Sequence, residues 1–176
     1  MTLPIEHPAR APRDPITSIA LQLSSPHTPM GLLATLRRFD PMKQGRQSLF
    51  ETTQVLMQAD IHPGELHDRW ALVVHCLALV RGAHNGHSNP GAAMAAMHFS
   101  ETRLRQLVQA DAALLFDLMP RLARRLAAHG RAVNWWPLAL MVLHTGRDEP
   151  RADKARSDVI AGYLGATARV ADAESV

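Results

Sequence analysis

Along this chain apolar and polar positions alternate with the three-to-four-residue period of amphipathic helices. No convincing period-two stretch occurs, so the pattern predicts an all-α protein. ITSIALQL (16–23) follows Asp14-Pro15, where Asp can cap a helix and Pro suits its first position. Ser24-Ser25-Pro26 breaks it. Thr28-Pro29 repeats the start signal before MGLLATLRRF, which ends near Asp40-Pro41, and MKQGR reads as a loop. SLFETTQVLMQA forms a third amphipathic segment, stopped by His62-Pro63-Gly64. ELHDRWALVVHCLALVRG then reads as a long, mostly buried helix.

GAHNGHSNPG (82–91) is the clearest internal break and the candidate domain boundary. Beyond it, GAAMAAMHF reads as a short helix of small residues suited to close packing. Ser100 can cap SETRLRQLVQAD, and Asp111 can cap AALLFDLMPRLARRLAAHG, with Gly130 as a left-handed stop. Pro120 inside that pattern is expected to kink or split it. Asn134 is read as the cap of WWPLALMVLHTG, with Gly146 as its stop, and a last helix is expected from about Arg151 to Leu164. The chain thus divides into an N-terminal arm (1–13), an N-terminal helical unit (14–88), a C-terminal helical unit (89–167) and a polar, frayed tail (168–176).

Charge adds a candidate chemistry. The sequence pI is about 9.7, the net charge is +3, and 17 of the 19 basic residues are Arg. Codon bias in a GC-rich genome accounts for the number of arginines but not for where they sit. On a helical wheel Arg121, Arg124 and Arg125 fall within about 100° of one another, beside an apolar stripe of Leu115, Leu118, Met119, Leu122 and Leu126. Residues 98–147 hold seven arginines (103, 105, 121, 124, 125, 131 and 147) against three acids. Arg37-Arg38 end an earlier helix. The plain explanations are a solvated face for Arg124-Arg125 and dipole compensation for Arg37-Arg38. The alternative is one phosphate-binding groove, continuous if the two units pack side by side.

Nucleic-acid binding would then rest on phosphate neutralisation, which is salt-sensitive and blind to sequence. Only eight aromatic residues are present, and Phe50, Phe99, Phe116 and Tyr163 read as core, leaving few to stack on bases. At least one of Trp135 and Trp136 is expected to be buried as an anchor, and Pro137 fits the first turn of the helix it opens.

Other chemistries find less support. Ten histidines invite a metal hypothesis, with His84 and His87 three apart, yet no HExxH or mixed ligand set occurs. Neither GxSxG nor GxxxxGK[ST] is present, and the lone Cys76 lies in an apolar helix that disfavours a thiolate. No cofactor and no catalytic residue is indicated. The N-terminus lacks a secretory h-region, and the longest apolar run (71–80) is about half a membrane span. A cytoplasmic protein without membrane contact is expected.

Several motifs together resemble a known family. LRRFDP, CLALVRGAHN, GAAMAAM, SETRLRQLVQAD, LARRL and NWWPL follow, in order and spacing, the small subunit of type I-E CRISPR Cascade, the CasB family. The resemblance covers roughly residues 28–165. It implies two small helical bundles packed side by side in an elongated molecule, without enzymatic activity. It further implies two copies, head to tail, against the backbone subunits and the large subunit of a crRNA-guided complex. There a basic surface helps hold the R-loop and the displaced, single-stranded non-target strand. By matching position, Arg37, Arg38, Arg103, Arg124 and Arg125 are the implied nucleic-acid-binding residues, with Arg105, Arg121 and Arg131 as possible additions and Trp136 as the structural anchor. Gln109, where some relatives carry a basic residue, interrupts the implied track, and Asn134 stands where Asp is usual. A purely protein–protein scaffold, with arginines that meet only carboxylates, is the alternative.

Overall fold

The computed structural model describes residues 14–40 and 48–174, with side chains through residue 170. The expected arm (1–13) and the whole MKQGR loop lie outside the described residues. Four helices form a first group: α1 (Pro15–Ser24), α2 (Met30–Arg38), α3 (Leu49–Gln58) and α4 (His67–Leu79), the last entered through a 3-10 turn at Gly64–Leu66. Five form a second: α5 (Pro90–Ala96), α6 (Glu101–Val108), α7 (Ala112–Ala128), α8 (Trp136–His144) and α9 (Glu149–Glu174). The described chain is all-α, and the two groups pack side by side. Its only β pairing is an isolated parallel bridge between His84 and Val133.

Local chemistry sets most of the boundaries. Asp14 Oδ1 accepts from the Thr17 N–H at 2.9 Å, and Asp111 Oδ1 from the Leu114 N–H at 2.8 Å, so each satisfies an orphan donor of a first turn. Ser100 caps α6 more loosely, at 3.4 Å from the Arg103 N–H. Gly130 and Gly146 take φ of +59° and +76° just beyond α7 and α8, a conformation that costs glycine little. Asn89 Oδ1 accepts from the Gly91 N–H at 2.8 Å and starts α5 at Pro90.

One contiguous apolar core runs through both groups. Every residue of α4 from Trp70 to Ala78 is buried, because α4 lies between the first group and α7 and α8 of the second. Arg69 fastens that junction: its Nη1 donates to the carbonyls of Val142, Leu143 and Thr145 at 2.9, 3.1 and 2.7 Å, satisfying the C-terminal end of α8. The small-residue helix packs as its composition predicts. A Cβ at Gly91 would overlap the Val159 carbonyl of α9, and one at Gly162 would overlap the Asn89 side chain. Those two glycines allow the close approach of α5 and α9.

The Gly-rich segment between α4 and α5 is fastened rather than free. Asn85 N–H donates to the Val133 carbonyl at 3.0 Å, and Asn134 N–H to the Ser88 carbonyl at 2.7 Å.

Five expectations change. Of the two outcomes expected at Pro120, the split does not occur: α7 is one helix on both sides of it. Phe50, expected in the core, is 77% exposed, because it lies on the outer face of α3. α8 begins at Trp136, with Trp135 as the capping residue; Asn134 still serves the turn by accepting from the Trp136 N–H at 3.0 Å. Trp135, 2% exposed, takes the buried anchor position expected of Trp136, which is half-buried against the edge of the core. The polar tail expected to fray continues α9 as helix to Glu174.

Candidate nucleic-acid interface

Each of the two arginine pairs divides into an inward and an outward residue. In the first pair Arg37 turns inward: its Nε donates to the Ala78 carbonyl at 2.9 Å, and the side chain is half-buried. Arg38 is exposed, and among the described residues its side chain has no hydrogen-bond or ion-pair partner. In the second pair Arg125 turns inward. Its Nη2 donates to the Met97 carbonyl at 3.0 Å, and its guanidinium lies over the Phe99 ring at 5.4 Å from the centroid. Arg124 is exposed and, like Arg38, unpaired among the described residues.

Both pairs approach α4. His75, buried in α4, donates from Nδ1 to the Leu36 carbonyl of α2 at 2.7 Å and meets the Phe39 ring edge-on. Burial pushes its pKa down, the Leu36 bond opposes this, and the charge of Arg124 pushes it further down. The end of α2 bonds to α4 at His75 and Ala78, and α7 packs along α4, which places the two Arg-bearing helix segments on neighbouring parts of the molecule.

The remaining candidates fall into two states. Arg105 is held by Glu101, Nε to Oε1 at 2.9 Å, and Arg121 by Asp117, Nη2 to Oδ1 at 2.7 Å. Both are i,i+4 pairs that neutralise themselves at an exposed surface, each worth a few tenths of a kcal/mol. Arg103 and Arg131 are exposed and unpaired among the described residues. Arg103, Arg121 and Arg125 meet in one place: with Phe99, Gln106, Leu107, Leu118 and Leu122 they line a cleft of about 310 Å³ between α6 and α7. Gln109, exposed at the end of α6, lies outside that lining.

Sequence reasoning passed over Arg81. It is exposed just after α4, at φ +54°, with an unpaired side chain among the described residues. Only its place at the end of the apolar run, directly before Gly82, could have signalled it. Arg69 was also silent in the sequence, because its partners are backbone carbonyls more than seventy residues away.

No metal-binding constellation of three or more His, Cys, Asp or Glu side chains exists among the described residues. His84 is engaged in packing contacts between α1 and the entry to α8. Cys76 is fully buried, and burial pushes its thiol pKa far up, with Arg124 opposing weakly. No helix among the described residues is long and apolar enough to cross a membrane. What the described surface offers is a set of fixed positive charges.

Residues 32–163 match the family model described as CRISPR-associated protein Cse2 (CRISPR_cse2). No curated protein and no solved structure matches.

Proposed function

The chain belongs to the CRISPR-associated protein Cse2 family, and from that membership we propose that it is the non-catalytic small subunit of a crRNA-guided type I-E surveillance complex in the cytoplasm. Two copies bind one another and dock on the backbone subunits and the large subunit. Their arginine-lined surface stabilises the R-loop by holding the displaced non-target strand. Base pairing to the guide reads sequence, and strand exchange is nearly balanced in free energy, so a few sequence-blind phosphate contacts suffice to tip it.

The supporting observation is the outward, unpaired state of Arg38, Arg103, Arg124 and Arg131 among the described residues. Exposed guanidiniums that hold no carboxylate are free to exchange solvent for phosphate oxygens. Arg37 and Arg125, spent on backbone carbonyls, act by holding the outward residues' helices in place.

The test is single-strand DNA binding by the full chain across a salt series. Phosphate contacts predict a logarithmic salt slope of about −0.7 per contact. Alanine at Arg38, Arg103 and Arg124 together should weaken binding and flatten the slope by about 2. An unchanged slope contradicts the reading.

A second reading, a purely protein–protein scaffold, draws on one observation. Leu49, Phe50 and Met57 share an arc of α3 and are 47, 77 and 52% exposed. It predicts that the same arginine substitutions abolish assembly rather than strand binding.

A further inference from the structure

The cleft between α6 and α7 has a composition that phosphate neutralisation alone does not require. Arg103 and Arg121 stand at its rim, while Leu107, Leu118, Leu122 and the half-buried Phe99 form an apolar wall. Arg125 also lines the cleft; its guanidinium lies over the Phe99 ring at 5.4 Å from the centroid and is fixed by the Met97 carbonyl. Tyr163 Oη donates to the Phe99 carbonyl at 2.6 Å, and Ser100 caps the helix that follows. The wall is therefore held from three sides.

A phosphate track needs only charge. A cleft pairing two rim cations with an arginine-stacked aromatic ring and aliphatic side chains matches a ligand with an anionic end and a flat, weakly polar body. At about 310 Å³ it stands at the small end of ligand pockets, a size for one small unit rather than a length of peptide. We propose that this cleft seats one nucleotide of a single strand, with its phosphate at Arg103 and Arg121 and its base against the Phe99 wall. The proposal rests on the single-strand reading above and adds to it a base-dependent contact, where sequence reasoning allowed phosphates alone. The seated phosphate competes with Asp117 for Arg121, whereas Arg103 is free to receive it. Such a seat is sequence-tolerant, because every base presents an apolar face.

The experiment compares full-chain binding of two strands of equal length and phosphate count, one of thymidines and one of abasic residues. The base-bearing strand should bind about five- to tenfold more tightly, the effect of stacking one base. Phe99→Leu keeps the backbone carbonyl used by Tyr163 and should shrink that preference to under about twofold. Gln106→Glu, at an exposed rim position, adds a negative charge without touching the core and should weaken binding of both strands. Its intact fold keeps the cleft testable if F99L melts early. Equal affinity of the wild-type chain for both strands overturns the base seat and leaves the phosphate track standing. Failure to bind either strand at low salt overturns both. A base preference undiminished in folded F99L, or binding unaffected by Q106E, places the base outside this cleft and overturns the proposal.

Discussion

Arg125 donates from Nη2 to the Met97 carbonyl at 3.0 Å, while its neighbour Arg124 faces solvent. One residue of helical rotation separates a tether from a surface charge. Arg125→Ala removes a charged hydrogen bond and the stack on Phe99, and should cost about 1–3 kcal/mol of stability. Arg124→Ala should stay within about 0.5 kcal/mol of the parent. Urea titrations of both variants check the difference.

The same contrast appears among the glycines. Gly91→Ala forces a methyl group into the Val159 carbonyl and should destabilise by about 1–3 kcal/mol, as overpacking does. At Gly31, in the first turn of α2, an added Cβ would meet no atom within 4 Å, and φ is not positive. Gly31→Ala should be neutral or stabilise by up to about 1 kcal/mol, through the unfolded chain. Thermal melts of the two variants separate close helix contact from a general dislike of alanine.

His84 joins the start of α1 to the entry of α8. Its Nδ1 accepts from the Trp135 N–H at 3.2 Å, and its Nε2 lies 3.1 Å from Thr17 Oγ1. Only a ring unprotonated at Nδ1 can accept that bond. Burial holds the His84 pKa below the ordinary 6.5, against the opposing pull of Asp14 and a backbone bond to Val133. The unfolded chain therefore takes up a proton first on acidification. The contribution is complete above about pH 6.5 and is lost as the pH falls toward the folded-state value. Each such ring adds at most about 1.4 kcal/mol per pH unit to the slope. Buried His75 acts in the same direction. His84→Gln should therefore flatten, but not abolish, the loss of stability between pH 7 and 5, as measured by urea titration at each pH.

The helices were legible where the chain itself holds the signal. Asp14-Pro15, Ser100, Asp111, Gly130 and Gly146 act within three residues of where they stand, and each performs its expected task. Asn89-Pro90 repeats the Asp14-Pro15 pattern, yet the Gly-rich run around it reads as loop. Phe50 looked like core because an apolar residue in an amphipathic segment fits either edge of the buried stripe. The doublet Trp135-Trp136 straddles a helix start, where the 3.6-residue period does not yet decide which ring points inward. The arginines show the deeper limit. A wheel places Arg121, Arg124 and Arg125 together, but the Met97 carbonyl, the Phe99 ring and Asp117 decide what each does, and the first two come from outside the helix that carries the arginines.

The most direct measurement is target-duplex binding by the reconstituted effector complex. It compares this subunit with a version carrying Ala at Arg38, Arg103 and Arg124, both verified to assemble in equal amount. Weaker duplex binding, restored in part at lower salt, is the predicted result. Binding equal to the parent at every salt concentration contradicts the assignment of these outward arginines to the displaced strand.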